Sequence, residues 1–175
     1  MTILPVWEGM DAVAKKDPIG TGHPLTYCQG LTSVDGSVKE GQRFTPAQCD
    51  ERLAKALPKY LTPLQACINV GIPVKSMGAL LDAAYNAGPA AVCKSPMVKK
   101  MNAGDIAGGC RAFQGWYTSS AGQVRKGLVA RRGGIAGDKR KSEMQLCLEG
   151  VNEPKPKISF FTKIKLFIQA ILKGN

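Results

Sequence analysis

Residues 17–44 have the sequence DPIGTGHPLTYCQGLTSVDGSVKEGQRF, in which glycines separate short runs of Thr, Ser, Val and Leu. Runs of this kind, broken by turn residues, are typical of short antiparallel strands. We therefore predict a small β lobe over residues 17–44. Before it, residues 1–16 are predicted to form a short helix. Asp17-Pro18 ends that helix, because a proline disfavours helical conformation in the residue before it.

From Thr45 onward the pattern changes to that of helices. Thr45 is followed by proline in the first turn and by Gln48 three positions later, which is a capping-box signature. The small and apolar residues of 79–86 are too dense for a one-sided stripe and predict a helix buried on most sides. The prediction is a mainly helical α+β fold, with a ligand cleft between a β lobe (17–44) and a larger helical lobe (45–150). Helices are predicted over residues 46–57, 62–70, 74–86, 95–101, 104–113 and 119–131.

The chain is strongly basic. Its 175 residues include 24 Lys and Arg against 13 Asp and Glu, which gives a net charge of +11. Such an excess favours an anionic partner: nucleic acid, anionic lipid or an acidic cell-surface polymer. The sequence has no zinc-finger spacing, P-loop or aromatic-basic RNA-binding motif, so nucleic acid is not expected.

The six cysteines and the single histidine limit which metal sites and disulfides the chain can form. No two cysteines form a CxxC pair and one histidine does not complete a usual Cys/His zinc site, so neither a metal nor a cofactor is expected. An even number of cysteines allows disulfides, but buried free thiols fit equally well, and the spacing does not choose a pairing. The cysteines are Cys28, Cys49, Cys67, Cys93, Cys110 and Cys147.

The N-terminal residues lack the basic start and long apolar stretch of a secretory signal peptide. No segment is long and apolar enough to predict a membrane-spanning helix. If the protein acts outside the cytoplasm, we expect a different route of export or a trimmed chain.

Two acids and a hydroxyl near the N-terminus form a candidate catalytic group. Glu8, Asp17 and Thr26 follow one another at intervals of nine residues. Hydrolysis of a glycosidic bond requires one carboxyl group to donate a proton and another to manage water or the developing positive charge. Spacing alone is a weak signal, because two acids at this separation are common in proteins.

Four stretches in the same order strengthen that signal. Together they resemble the phage-type lysozymes, a family of endolysins, over roughly residues 6–150. The stretches are Trp7-Glu8-Gly9 with Asp17-Pro18-Ile19-Gly20 and Thr26-Tyr27-Cys28; Ala84-Tyr85-Asn86-Ala87-Gly88 with Lys94-Ser95-Pro96 and Asn102-Ala103-Gly104-Asp105; Phe113-Gln114-Gly115-Trp116-Tyr117; and Gly127-Leu128-Val129-Ala130-Arg131-Arg132 with Leu146-Cys147-Leu148.

The resemblance implies a lysozyme-like catalytic domain over residues 1–150. It implies that Glu8 is the general acid and that Asp17 and Thr26 position a water molecule, with Asp17 also stabilising positive charge. Asn86 and Tyr27 are expected to contact the substrate. The implied reaction is inverting hydrolysis of the β-1,4 bond between N-acetylmuramic acid and N-acetylglucosamine in peptidoglycan. A monomer is expected that is made in the host cytoplasm, acts in the periplasm and lyses the host.

The chain departs from the family pattern in two places. The family usually places the catalytic Thr closer to the Asp than the nine positions found here, so Thr21 is a rival. We favour Thr26 because it keeps the motif Thr-x-Cys-x-Gly-x-Thr. The second departure is a basic, glycine-rich insertion at residues 133–142, which is expected to be a surface loop. Before it, Arg131 and Arg132 either meet carboxylates of the peptide stem or, as we favour, form ion pairs inside the domain.

The C-terminus is predicted to form a separate segment with its own function. Residues 151–157 contain two prolines and are predicted to be a linker. Residues 158–173 then form a basic amphipathic pattern about 24 Å long as a helix, which is suited to the surface of an anionic membrane or lipopolysaccharide. The alternative is a last core helix packed on the helical lobe. The predicted membrane-binding residues are Phe160, Phe161, Lys163, Ile164, Lys165, Phe167, Ile168, Ile171 and Leu172.

Two other functions remain open from the sequence. A lytic transglycosylase needs only one acid, so the additional Asp17 and Thr26 argue against it. A non-enzymatic antimicrobial protein would kill through residues 158–173 alone.

Overall fold

The computed structural model describes residues 3–17, 24–116 and 124–153. The chain begins with a short helix, continues through a small sheet and then becomes helical. The elements are α1 (Leu4–Glu8), β1 (Asp11–Lys16), β2 (Leu25–Cys28), β3 (Leu31–Thr32), α2 (Pro46–Ala56), α3 (Pro58–Cys67), α4 (Val74–Ala87), α5 (Pro89–Cys93), α6 (Pro96–Asn102), α7 (Ile106–Arg111), a 3₁₀ helix (Ala112–Gly115), α8 (Lys126–Gly133) and α9 (Glu143–Asn152).

The sheet is antiparallel in the order β1-β2-β3. Lys15 lies opposite Thr26, and Thr26 lies opposite Thr32. The prediction of a helix over residues 1–16 is wrong beyond Glu8, because residues 11–16 form β1. Ala and Lys in this stretch favour a helix locally, but pairing with β2 overrides that preference.

The helical lobe follows the predicted pattern in part. Helix α3 spans Pro58–Cys67 instead of residues 62–70, and the predicted helix over residues 119–131 is wrong at residues 124 and 125, which precede α8. The capping box at Thr45 and Gln48 is formed as predicted, and α4 is buried on most sides. Helices α5 and α9 were not predicted. Pro58 and Pro89 lie in the first turns of α3 and α5, where the missing N–H of proline costs no hydrogen bond, so they begin helices rather than only interrupting them.

The C-terminal boundary also differs from the prediction. Helix α9 continues through Asn152, so residues 151 and 152, assigned to the linker, belong to that helix. The predicted amphipathic helix over residues 158–173 lies outside the described residues.

Two hydrophobic clusters divide the molecule. The first joins the sheet to α2 and includes Leu4, Tyr27, Leu31 and Phe44. The second surrounds α4 in the helical lobe, with Leu80 and Phe113 fully buried.

Three disulfides resolve the alternative that the sequence left open, and no cysteine in the described residues is free. They join Cys28 to Cys49, Cys67 to Cys93, and Cys110 to Cys147.

Across residues 3–17, 24–116 and 124–153, the structure contains no helix with both the length and the apolar character needed to cross a membrane.

Candidate active site

Helix α1 fixes the position of Glu8. Pro5 lies in its first turn, and the helix ends after Glu8 because Gly9 takes a φ of 69°, a conformation that favours glycine. Ile3, just before the helix, packs in the cluster of the helical lobe, whereas Leu4 packs in the cluster of the β lobe. Glu8 is therefore the last residue of a helix anchored in both cores.

The Glu8 carboxylate is mostly buried and contacts both lobes. Its Oε1 accepts a hydrogen bond from Arg131 Nη1 at 2.6 Å, and 20% of the side chain is exposed. On the other side lies Gly30, in the turn between β2 and β3. A Cβ added to Gly30 would stand 3.2 Å from Glu8 Oε2. The carboxylate is thus held between α8 and the turn of the sheet.

Asp17 and Thr26 share one face of the sheet. The Asp17 N–H donates to Pro24 O at 3.0 Å, which extends the β1–β2 ladder by one residue. Because side chains alternate along a strand, Asp17 lies on the same face as Lys15, whose partner on β2 is Thr26. Such diagonal neighbours stand about 7–8 Å apart. The sheet therefore brings the second predicted acid close to the predicted threonine.

The Thr26 hydroxyl is buried and accepts no hydrogen bond from, and donates none to, the residues that the structure describes. A buried hydroxyl usually has a partner, since leaving it unpaired costs free energy. A bound water molecule or substrate group would satisfy it. The rival Thr21 lies outside the described residues.

Arg131 and Arg132 are buried and form internal ion pairs, as predicted. Arg131 Nε donates to Asp82 Oδ2 at 2.9 Å, while Arg132 Nη1 makes a short hydrogen bond to Glu143 Oε1. Burial lowers the pKa of Arg131, but Asp82 and Glu8 outweigh it and hold that pKa above its ordinary value. Glu8 therefore faces a permanent cation.

Asn86 stands near the end of α4 with its side chain fixed. Its Oδ1 accepts from Arg132 Nη2 at 2.8 Å, and the residue is exposed. Gly88, with a φ of 84°, caps the end of α4, so Asn86 is not the capping residue. The anchored amide leaves its NH₂ group available to a ligand.

The basic insertion packs beside the site. The guanidinium of Arg140 lies 4.0 Å from the centre of the Trp7 ring, and Trp7 Nε1 donates to Lys141 O at 2.9 Å. Trp7 and Arg140 also line a cavity of about 590 Å³, together with Arg131 and the basic start of α8 at Arg125. The insertion is thus attached to the residue that precedes Glu8.

Comparisons with known proteins identify the family of the chain. The sequence model of the phage lysozyme family matches residues 5–134. The chain belongs to the phage lysozyme family. This membership makes it a peptidoglycan-lytic enzyme of the endolysin class.

Relatives of this family match most of the chain. It is 33% identical over 143 residues to the SAR-endolysin of Enterobacteria phage P21, covering 82% of this chain and 78% of that protein. It is 33% identical over 150 residues to the SAR-endolysin of Pseudomonas phage phiKMV, covering 83% of this chain and 84% of that protein.

The solved structures confirm the predicted lysozyme-like α+β fold. The endolysin from Escherichia coli O157:H7 phage FAHEc1 superposes with a TM-score of 0.69 at 26% identity, covering 87% of this chain and 92% of that one. A P22 lysozyme mutant gives a TM-score of 0.69 at 24% identity, covering 83% and 92%.

The predicted substrate contact of Tyr27 is contradicted by the burial of that side chain. Tyr27 is 0% exposed, and its ring stacks on Phe44 at 4.9 Å between centroids. Along β2 it points away from Thr26, toward the core of the β lobe. The side chain therefore fills the core and does not reach a substrate.

Three residues that support Glu8 through Arg131 or through the β2–β3 turn were not identified from the sequence. Asp82 and Glu143 lie behind Arg131, and Tyr85 donates its hydroxyl to Gln29 O at 2.9 Å, joining α4 to the β2–β3 turn. Burial raises the pKa of Tyr85, and Tyr60 and Glu8 act in the same direction. The available signal was Asp82, an acid among the small and apolar residues of a helix predicted to be buried. Acids are rarely buried without a partner, so this position indicated a buried ion pair.

Proposed function

We propose that this chain is a muramidase that hydrolyses the β-1,4 bond between N-acetylmuramic acid and N-acetylglucosamine with Glu8 as the general acid. The observation that carries the proposal is the Glu8 carboxylate, mostly buried and fixed between Arg131 and Gly30. A general acid must be held in one position beside the leaving oxygen, and contacts from two lobes provide that restraint.

Asp17 and Thr26 supply the other half of the proposed chemistry. Asp17 positions the water molecule and stabilises the positive charge at the anomeric carbon, and Thr26 holds the same water by a hydrogen bond. The proposal is supported by their common face on the sheet and by the unpartnered Thr26 hydroxyl. Attack by water opposite the leaving group gives inversion at the anomeric carbon.

Asn86 is proposed to bind the substrate. Its amide oxygen is held by Arg132, so its orientation is set before a sugar arrives. Its NH₂ group suits an acetamide carbonyl, which both sugars of peptidoglycan carry. Basic groups at the nearby cavity, including Arg125 and Arg140, suit the carboxylates of the peptide stem.

The first experiment is loss of turbidity of purified peptidoglycan by the parent chain and by Glu8→Gln. We expect the variant to lose at least about a hundredfold in rate, the usual contribution of a general acid. Glu51→Gln is the matched control, since Glu51 is exposed and pairs with Lys55 on α2. Equal rates for the parent and Glu8→Gln would overturn the proposal. Anhydro product ends instead of water-derived ends would indicate a lytic transglycosylase.

A second set of variants separates Thr26 from Thr21. Thr26→Val removes a hydroxyl that has no partner among the described residues, so the folded state should lose little stability. We expect the rate on purified peptidoglycan to fall in Thr26→Val and to be retained in Thr21→Val. The opposite result would assign the role to Thr21.

The cellular role is proposed to be host lysis by a monomer made in the cytoplasm and acting in the periplasm. Residues 158–173 are proposed to bind an anionic membrane or lipopolysaccharide. Deletion of residues 154–175 should reduce lysis of intact cells without changing activity on purified peptidoglycan. A loss of folding stability would instead indicate that these residues pack on the domain.

A further inference from the structure

Two carboxyl groups are completely buried behind Glu8. Asp82, on α4, and Glu143, the first residue of α9, are both 0% exposed. Buried acids require compensation, because removing a charge from water costs several kcal/mol even in real proteins. Neither residue belongs to the proposed catalytic group, so their presence needs a separate explanation.

The two arginines of α8 satisfy one oxygen of each acid. Asp82 Oδ2 accepts from Arg131 Nε at 2.9 Å, and Glu143 Oε1 accepts a short hydrogen bond from Arg132 Nη1. Arg131 Nε also lies 3.5 Å from Glu143 Oε1. Because Arg131 Nη1 holds Glu8, the acids behind it determine where that guanidinium stands.

The second oxygen of each acid has no donor. Asp82 Oδ1 and Glu143 Oε2 are buried and accept no hydrogen bond from the described residues. Both acids nevertheless approach the same guanidinium nitrogen, with Asp82 Oδ2 at 2.9 Å and Glu143 Oε1 at 3.5 Å from Arg131 Nε. Two ionised carboxylates have only acceptors and repel each other, whereas one proton between them satisfies both oxygens.

We propose that Glu143 is protonated in the folded enzyme and donates its proton to Asp82, so that the pair positions Arg131 against Glu8. The last step rests on the proposed function of Glu8; the shared proton does not. Asp82 is assigned as the ionised member because it lies nearer the nitrogen that both acids approach: Arg131 Nε is 2.9 Å from Asp82 Oδ2 and 3.5 Å from Glu143 Oε1.

Burial raises the pKa of Glu143 well above its usual range; Arg132 opposes the rise, Asp82 strengthens it and Arg131 opposes it. Burial outweighs the two arginines, which agrees with the absence of a donor to Glu143 Oε2 among the described residues.

Other charges near α9 lie outside the cluster. Lys75 of α4 pairs with Glu149 and Glu153 farther along α9, and Lys141 also pairs with Glu149. Arg111, at the end of α7, is exposed. The groups that act directly on Glu143 are therefore Asp82, Arg131 and Arg132.

Infrared spectroscopy of the unmodified enzyme tests the proton directly. With ¹³C-labelled Glu carboxyls, we expect a carbonyl band of a protonated carboxylic acid at neutral pH that persists in Glu8→Gln and is lost in Glu143→Gln. A band found only with labelled Asp, or no band with either label, would overturn the assignment. This measurement needs no activity, so it does not depend on the function of Glu8.

The pH dependence of folding gives a second test. Because the folded state keeps a proton that the unfolded state loses, the stability of the parent should fall as pH rises above about 4.5, by up to tenfold in the folding equilibrium per pH unit. Glu143→Gln, which keeps a donor to Asp82, should lack this fall. A constant difference between the parent and Glu143→Gln from about pH 5 to about pH 8 would overturn the proposal.

Glu149→Gln is the control on the same helix. Hydrogen bonding from Lys141 lowers the pKa of Glu149, so that group is ionised in both folded and unfolded states above about pH 5. Its stability curve should run parallel to that of the parent in this range.

Activity then tests the positioning step. Above the pKa of the pair, a second buried anion competes with Glu8 for Arg131. We expect the alkaline limb of kcat/KM on peptidoglycan to move upward in Glu143→Gln, giving about tenfold more activity for each pH unit of movement. An unmoved limb together with the infrared band would overturn the positioning role of Glu143. Full activity of Glu8→Gln would instead refute the proposed function and leave the shared proton intact.

Discussion

The two lobes are stabilised by different means. In the β lobe, Tyr27 stacks on Phe44, and the Arg52 guanidinium covers the Phe44 ring at 4.9 Å from its centre. The helical lobe instead encloses charges: Asp82 and Glu143 are fully buried among apolar helices. A small sheet is covered by rings and one disulfide, whereas the larger lobe has enough apolar volume to surround an ionic cluster.

Glu8 belongs to both lobes and depends on their relative position. Arg131 reaches it from the helical lobe, and the Gly30 backbone approaches it from the β lobe. Tyr85 fixes the same turn through Gln29. A substitution in either lobe should therefore affect the site. The loss of activity relative to the loss of unfolding free energy should differ between the two lobes.

The largest effect is expected from Arg131→Met. The change leaves Asp82 buried without its cation and releases Glu8, so the free energy of unfolding should fall by about 3–5 kcal/mol and lysis should be lost. Chemical denaturation and turbidity assays measure the two effects. Arg111→Met, at an exposed position of the same lobe, is the control. A loss no greater than in that control would show that the ionic cluster does not stabilise the helical lobe.

Disulfide removal should affect both lobes at an intermediate level. Cys110–Cys147 spans 37 residues and Cys28–Cys49 spans 21, so replacing either pair by serine should lower the free energy of unfolding by about 3–4 kcal/mol, slightly more for the longer loop. Cys28 ends β2, which carries Thr26. Removal of Cys28–Cys49 should therefore reduce lysis more, for each kcal/mol of unfolding free energy lost, than removal of Cys110–Cys147. Equal losses of lysis would argue that the sheet geometry does not control the site.

The smallest change in stability is expected from Gly30→Ala. A residue with a side chain at a φ of 79° costs about 1–2 kcal/mol, and the new Cβ would press on Glu8 Oε2. We expect lysis to fall more than about tenfold, because small displacements of a catalytic group are costly. Gly41→Ala is the matched control, with a φ of 77° and open space around the added Cβ. It should lose similar stability and keep its activity.

Helix boundaries with local signals could be predicted from the sequence. Thr45 and Gln48 form the expected capping box within a single turn, and the dense small residues of α4 are buried as expected. Strand β1 could not be predicted in the same way. Residues 11–16 suit a helix locally and become a strand only through pairing with β2 and the isolated bridge between Val13 and Arg43.

The sequence by itself determined the family, the mainly helical α+β class and the order of Glu8, Asp17 and Thr26, because motifs and caps depend on residues close together in the chain. The tertiary structure decided the disulfide pairing, the burial of Tyr27 and the contact of Asp82 and Glu143 with Arg131. These depend on distances between residues far apart in sequence, and on burial, which changes the cost of a charge or an unpaired hydroxyl.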